Sequence, residues 1–79
     1  MKHELKTWTK YFEAVFNGKK NFELRKDDRG FQIGDILILK EWEPELGKYT
    51  GRQLTKSVTY IFEGGSLGLE KGFVIMAIS

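Results

Sequence analysis

From Trp8 the apolar residues fall at positions 8, 11, 12, 15 and 16, the i, i+3, i+4, i+7, i+8 stripe of an amphipathic helix. Asn17-Gly18 ends it, because glycine enters the left-handed conformation just past a helix without a Cβ clash. Thr7 or Thr9 is placed to cap its start, with a hydroxyl accepting from an orphan N–H of the first turn. His3 to Lys6, ahead of it, reads as a short strand. Beyond Gly18 the period changes from 3.6 to 2. Phe22 and Leu24 alternate with Glu23 and Arg25, so residues 21–26 predict a half-buried strand with its apolar face inward.

After the Ile33-Gly34-Asp35 turn, residues 36–39 form the unbroken apolar run ILIL, which predicts a strand covered on both faces. Its continuation, KEWEPELGKYTGR, holds the only proline together with Gly47 and Gly51, the chemistry of a long hairpin connection. The returning strand shows Leu54, Val58, Tyr60 and Phe62 on one parity, with Lys56 and Ile61 breaking the pattern. A loop, GGSLGLEKG, precedes a last strand over Phe73–Ile78, where Val74, Met76 and Ile78 share a parity. No repeat, linker or composition shift marks a second unit, so residues 1–79 are expected to form a single domain. One helix and about five strands predict a mainly β, α+β fold: a small twisted sheet closed into a barrel, with the helix packed against it.

Composition sharpens this picture. A chain of 79 residues buries only about 60–65 % of its unfolded surface. Its core must come from six Phe, three Tyr and two Trp, each able to bury on the order of 150–250 Å², and burial is therefore the expectation for Trp8. There is no cysteine, and the lone His3 cannot make a zinc site by itself. No run reaches the roughly 18 apolar residues of a membrane span, and MKHELK lacks the apolar stretch of a signal peptide. The expectation is a soluble, cytoplasmic protein, monomeric or weakly dimeric, with no cofactor and no metal.

Charge is nearly balanced, at 13 Lys+Arg against 11 Asp+Glu, which argues against a general polyanion binder. Residues 1–40 carry nine basic and six acidic side chains, and residues 41–79 four and five. Phosphate contacts are therefore expected in the first half and few in number.

The candidate chemistry lies in GKKNFELRKDDR, residues 18–29, where eight of twelve side chains are charged. On an extended strand Glu23 and Arg25 point the same way, with Cα atoms roughly 6.5–7 Å apart, so both reach one ligand. A guanidinium offers a planar fork to phosphate, carboxylate or a guanine edge, and a carboxylate accepts from the amino groups of bases. Lys20 follows the helix exit, and its direction depends on the Gly18 turn. Against this stands a plain structural account: a helix stop, lysines near a helix C-terminus, and a solvated Glu/Arg pair.

Other candidates are weaker. Gly64, Gly65, Gly68 and Gly72 lack the strand, loop and helix context of a phosphate-binding loop and read as turn chemistry. Asp27-Asp28 reads as a capped turn. Trp42, between Glu41 and Glu43 near a hairpin, is the aromatic expected to be exposed and able to stack on a base.

Gly18, Lys20, Glu23 and Arg25 fit the pattern GxKxxExR, and in this the chain resembles the ASCH (activating signal cointegrator homology) domains, whose members resemble the PUA fold. The order HELK, YFEAVFNGKKNFELRKDDRGFQIGDILIL, YTGR and GFVIMAI is similar to a small bacterial and phage subfamily of undefined function, over nearly the whole chain. The resemblance implies a PUA-like β-barrel with a cleft lined by Lys20, Glu23 and Arg25, with Gly18 shaping the helix exit. It also implies an RNA or nucleotide partner, or a coactivator-type protein interaction. Some ASCH-type bacterial proteins look like amidohydrolases of acylated cytidine that use a lysine, a threonine and a distant glutamate. Here the lysine is Lys20, but Glu23 stands at the threonine position, so a hydrolase would need Lys20 with a carboxylate, with Glu63 or Glu70 as a second acid. The non-catalytic binding module is the leading expectation.

Overall fold

The computed structural model describes residues 1–79. Strand β1 (Lys2–Trp8) leads directly into helix α1 (Thr9–Phe16), followed by β2 (Phe22–Lys26), β3 (Ile36–Glu43), the long β4 (Lys48–Glu63) and β5 (Phe73–Ile78). They form one mixed sheet in the order β1-β3-β4-β5-β2. Strand β1 runs parallel to β3, with Lys2 opposite Ile36 and Trp8 opposite Trp42. The other pairings, β3 with β4, β4 with β5 and β5 with β2, are antiparallel. The first part of β4 pairs with β3 and its last part with β5, so this strand carries the sheet from one half to the other.

The core follows the period-2 alternation. Leu5, Leu37, Leu39, Val58, Val74, Met76 and Ile78 face inward from the strands, Phe12 and Val15 come down from α1, and Phe31 closes one end. Two irregularities in β4 account for its broken pattern. A register shift between Val58 and Tyr60 inserts an unpaired residue and reverses the parity beyond it, so Ile61 packs on the core while Tyr60 is 62 % exposed. Lys56 sits opposite Leu37 on the core-side parity, half-buried, a position that suits a long side chain with an apolar stem and a charged tip.

Three expectations need correction. The sheet does not close into a barrel: β1 and β2 are its two edges and do not pair. Side chains span the gap instead, with Arg25 Nη2 donating to the Lys6 carbonyl at 2.8 Å and Arg29 Nη1 to the Glu4 carbonyl at 3.0 Å. Edge carbonyls that would otherwise need a strand partner are satisfied this way. Neither threonine caps α1, which has Trp8 at its N-cap and no side-chain cap bond. Thr7 Oγ1 donates to the Leu5 carbonyl and Thr9 Oγ1 to that of Trp42. The helix stripe is also narrower than predicted, since only Phe12 and Val15 are buried, and Trp8, Tyr11 and Phe16 stand about half exposed. No helix is long and apolar enough to cross a membrane.

Candidate functional site: a cleft at the unpaired edges of the sheet

The site begins where α1 stops. Gly18 takes φ 74°, and the N–H groups of Lys19 and Lys20 both donate to the Ala14 carbonyl, at 2.9 and 3.0 Å. That arrangement satisfies an orphan carbonyl of the last turn and reverses the chain. The Asn21 side chain then donates to the Gly18 carbonyl. The reversal delivers Lys20 to the start of β2.

Strand β2 presents the opposite parity from the one its sequence predicts. Glu23 is 3 % exposed, whereas Phe22 and Leu24 are 45 % and 51 % exposed. The register with β5 is the cause: Glu23 lies opposite Met76 and Arg25 opposite Val74, and both of those partners face the core. Residues directly opposite one another share a face, so the charged pair turns inward and the apolar pair outward.

A buried carboxylate is tolerated only when its oxygens are paired, and here they are. Glu23 Oε1 accepts from Lys20 Nζ at 2.8 Å and Oε2 from Arg25 Nε at 2.9 Å. Lys20 also donates to the Phe22 carbonyl at 2.8 Å, and Arg25 Nη2 reaches Thr7 Oγ1 at 3.4 Å besides the Lys6 carbonyl. Arg25 Nη1 takes part in none of these bonds, and one proton of the Lys20 ammonium is left over. The sequence-predicted trio thus converges, with Glu23 as the anchor that fixes two cations. Gly18 acts at a distance, through the turn.

Above this trio lies an open cleft of about 590 Å³ between β1, β2 and the start of α1, walled by Trp8, Tyr11, Phe22 and Leu24 with Lys6 and Thr7 on the β1 side. Its size falls within the range of small-ligand sites, and its mix of aromatic walls and a few converging polar groups is typical of them. Lys20 Nζ stands 5.0 Å from the centroid of the Phe22 ring and 5.9 Å from that of Tyr11. The sequence reading missed these walls. It assigned Trp8 to the core, and Tyr11 and Phe22 to apolar faces. No signal in the sequence marked them as walls, because large rings read as core, whereas only Phe12 and Phe31 among the chain's Phe, Tyr and Trp residues are buried.

Two further polar clusters hold the frame of the site. Glu41, 2 % exposed, accepts from Arg52 Nε and Nη2 at 2.8 and 2.9 Å and from Thr50 Oγ1 at 2.5 Å. Bonding to the guanidinium outweighs burial and holds the Glu41 carboxyl down at about 2, while the Arg52 guanidinium is raised in turn. Arg52 also pairs with Glu13 of α1 and lies over Phe12 and Phe16, 5.0 and 5.5 Å from their centroids. It thereby ties α1, and with it Tyr11, to β4. At the other end Asp35 accepts from His3 Nε2 at 2.8 Å, the Gln32 N–H at 3.0 Å and the amine of Met1 at 3.2 Å. The His3 bond, followed by that from Gln32, draws its carboxyl down to about 2.

The remaining candidates lie elsewhere. His3 packs edge-on to Phe31 at 4.8 Å, outside the cleft lining. Asp27 Oδ1 accepts from the N–H groups of Arg29, Gly30 and Phe31, which is a capped turn. Glu63 lines a separate groove of about 310 Å³ together with Asp27, and neither Glu63 nor Glu70 lines the cleft. Trp42 is half-buried, between the Lys6 ammonium and the Tyr49 ring.

The fold and site define a small mixed-sheet protein with one helix and a cation-floored, aromatic-walled cleft at its unpaired edges. The chain belongs to the family described as a domain of unknown function, DUF3850, whose model matches residues 2–78. It is 47 % identical over 57 residues to the uncharacterized 12.9 kDa protein in GpA 3'region of Escherichia phage P2, a match covering 72 % of this chain and 50 % of the relative. The matched segment thus spans half the length of that phage protein.

Proposed function

We propose that this chain is a non-catalytic binding module, akin to ASCH domains, that takes a nucleobase-bearing ligand, RNA or nucleotide, into the cleft at β1, β2 and α1. The observation that carries this reading is the pairing of a buried Glu23, which fixes Lys20 and Arg25, with the half-exposed rings of Trp8, Tyr11 and Phe22 around them. Rings without burial lose the usual reason for their presence in so small a chain, and a stacked base supplies another, worth about 1–3 kcal/mol per base. Arg25 Nη1 and the spare Lys20 proton would meet a phosphate or a base acceptor edge. Glu23 serves chiefly to hold Arg25 and Lys20 in place.

An amide chemical-shift titration with nucleosides and short RNAs tests this. Shifts concentrated at Tyr11, Phe22 and Arg25, and lost in a folded Arg25→Ala variant, are the expected result. Shifts confined to other surfaces, or none at all, overturn it.

The hydrolase alternative draws less support. Lys20 and Glu23 are committed to each other and to further partners, so neither is free as base or nucleophile without breaking those bonds. Turnover of acylated cytidine above a Lys20→Ala control would restore it. A peptide-docking edge is disfavoured by the arginines already seated on the Glu4 and Lys6 carbonyls.

A further inference from the structure

On the face of the sheet turned away from α1, three adjacent strands carry aligned rings. Trp8 of β1 lies opposite Trp42 of β3, and Trp42 opposite Tyr49 of β4. Their neighbours on the core-facing parity, Thr7 and Glu41, are buried, so this row faces outward. It spans about 10 Å, two strand spacings. Trp8 and Tyr49 are about half exposed, and the Tyr49 ring stands edge-on to Trp42 at 4.9 Å. A second row, Lys6, Lys40 and Gln53, lies two residues back along β1 and β3 and four along β4, where the register with β3 shifts between Lys40 and Trp42. Lys6 Nζ sits 4.0 Å from the Trp42 centroid and Lys40 Nζ 5.2 Å from that of Tyr49, while Lys40 also donates to Glu4 at 3.2 Å. Beyond Gln53, the outward positions of β4 are the neutral Thr55 and Ser57.

We infer that this face continues the cleft as a track for single-stranded RNA: one base occupies the cleft, the strand crosses Trp8, and following bases stack on Trp42 and Tyr49. The inference rests on the reading of the cleft as a nucleotide site, and it narrows the ligand from a free nucleotide to a strand. Continuity supports it, because Lys6 and Trp8 belong both to the cleft wall and to the outer rows. Chemistry supports it as well. A base settling on Trp42 takes the place of the Lys6 ammonium, which is then released to a phosphate, so cation and ring both keep a partner. The neutral amide and hydroxyls of Gln53, Thr55 and Ser57 suit ribose 2′-hydroxyls, which mark RNA.

Calorimetric titration of the full chain with adenosine monophosphate, a five-nucleotide oligoadenylate and its DNA counterpart tests this. The RNA pentamer is expected to bind more tightly than the mononucleotide and than the DNA. Tyr49→Ala, an exposed residue outside the cleft, is expected to weaken the pentamer roughly 5- to 150-fold, the equivalent of one lost stack, and to leave the mononucleotide within about twofold. Lys40→Gln is expected to lower the salt slope for the pentamer by about 0.7, the contribution of one phosphate contact on a single strand. Equal affinity for pentamer and mononucleotide, or a Tyr49→Ala variant that binds the pentamer normally, overturns the track while the cleft reading stands. DNA bound as tightly as RNA overturns the assignment to RNA. No binding of either ligand overturns track and cleft together.

Discussion

Arg25, on one edge strand of the sheet, donates its Nη2 to the main-chain carbonyl of Lys6 on the other edge strand, 2.8 Å away, while its Nε is held by the buried Glu23 carboxylate. One side chain therefore does two things at once. It joins edges that no backbone ladder joins, and it forms the floor of the cleft. Arg29, bonded to the Glu4 carbonyl, repeats the first of these further along.

Arg25→Lys separates the two roles. A lysine keeps the charge but lacks the fork needed to reach Glu23 and Lys6 together. The variant is expected to lose about 1.5–3 kcal/mol of stability, the scale of a hydrogen bond to a charged group, and to exchange the amides of β1 and β2 faster than those of β3. Urea unfolding with hydrogen exchange checks this. Unchanged protection at both edges would show that the arginine does not join them.

Glu23→Gln probes the anchor. It removes the charge that fixes Lys20 and Arg25 and leaves two cations facing each other, a change expected to cost about 1–3 kcal/mol. On the proposed binding role, nucleotide affinity should fall even though the protein becomes more positive. If the site attracted ligands by net charge alone, affinity would rise instead, so a titration of wild type and variant at two salt concentrations decides between positioning and simple attraction.

Gly64 is the one glycine where space, rather than a left-handed backbone, forbids a side chain. A Cβ there would run into the Glu70 carbonyl and approach the Phe73 carbonyl oxygen to 2.8 Å, while the Gly64 N–H donates to that same Phe73 oxygen. Gly64→Ala is expected to lose more than about 2 kcal/mol, within the range of severe backbone clashes. A thermal midpoint within a degree or two of wild type would contradict this close approach.

The helix exit, the strand positions and the trio Lys20, Glu23 and Arg25 were legible because each depends on local chemistry: a glycine after a periodic stripe, alternation, turn residues. The inversion of β2 was not, because alternation defines two faces without saying which one is inside. That sign comes from β5, some 50 residues away in the chain, whose Val74 and Met76 pull Arg25 and Glu23 inward. The usual rule that apolar residues face the core fails here because the buried carboxylate is fully paired, and because Phe22 and Leu24 become walls of the cleft. The open edge was illegible for a similar reason. An unpaired strand argues for closure, but long arginines can satisfy edge carbonyls as well as a neighbouring strand can. Arg52 and Glu41 fell in a stretch that read as a hairpin connection, and only the pairing of β3 with β4 brings them together.

The Glu41 carboxyl, held at about 2 against an ordinary 4.5, and that of Asp35, at about 2 against 3.8, are expected to set the acid limit of the fold. Both are depressed in the folded state, so the unfolded chain binds protons first as pH falls. The stability they contribute is complete above about pH 4.5 and drains away as pH drops toward about 2. Urea midpoints measured from pH 6 down to pH 2 should therefore stay level and then fall steeply below about pH 4.5. Glu41→Gln, which cannot ionise, should start less stable at pH 6, because Arg52 loses its charged partner, and should show a shallower fall than wild type. Since Arg52 also ties Glu13 and α1 to β4, acid should free the helix, and with it Tyr11 at the cleft, so the proposed nucleotide binding should fail over the same window. A wild-type curve as flat as that of Glu41→Gln between pH 4.5 and 2 would mean that the buried carboxylate is not held by Arg52 in solution.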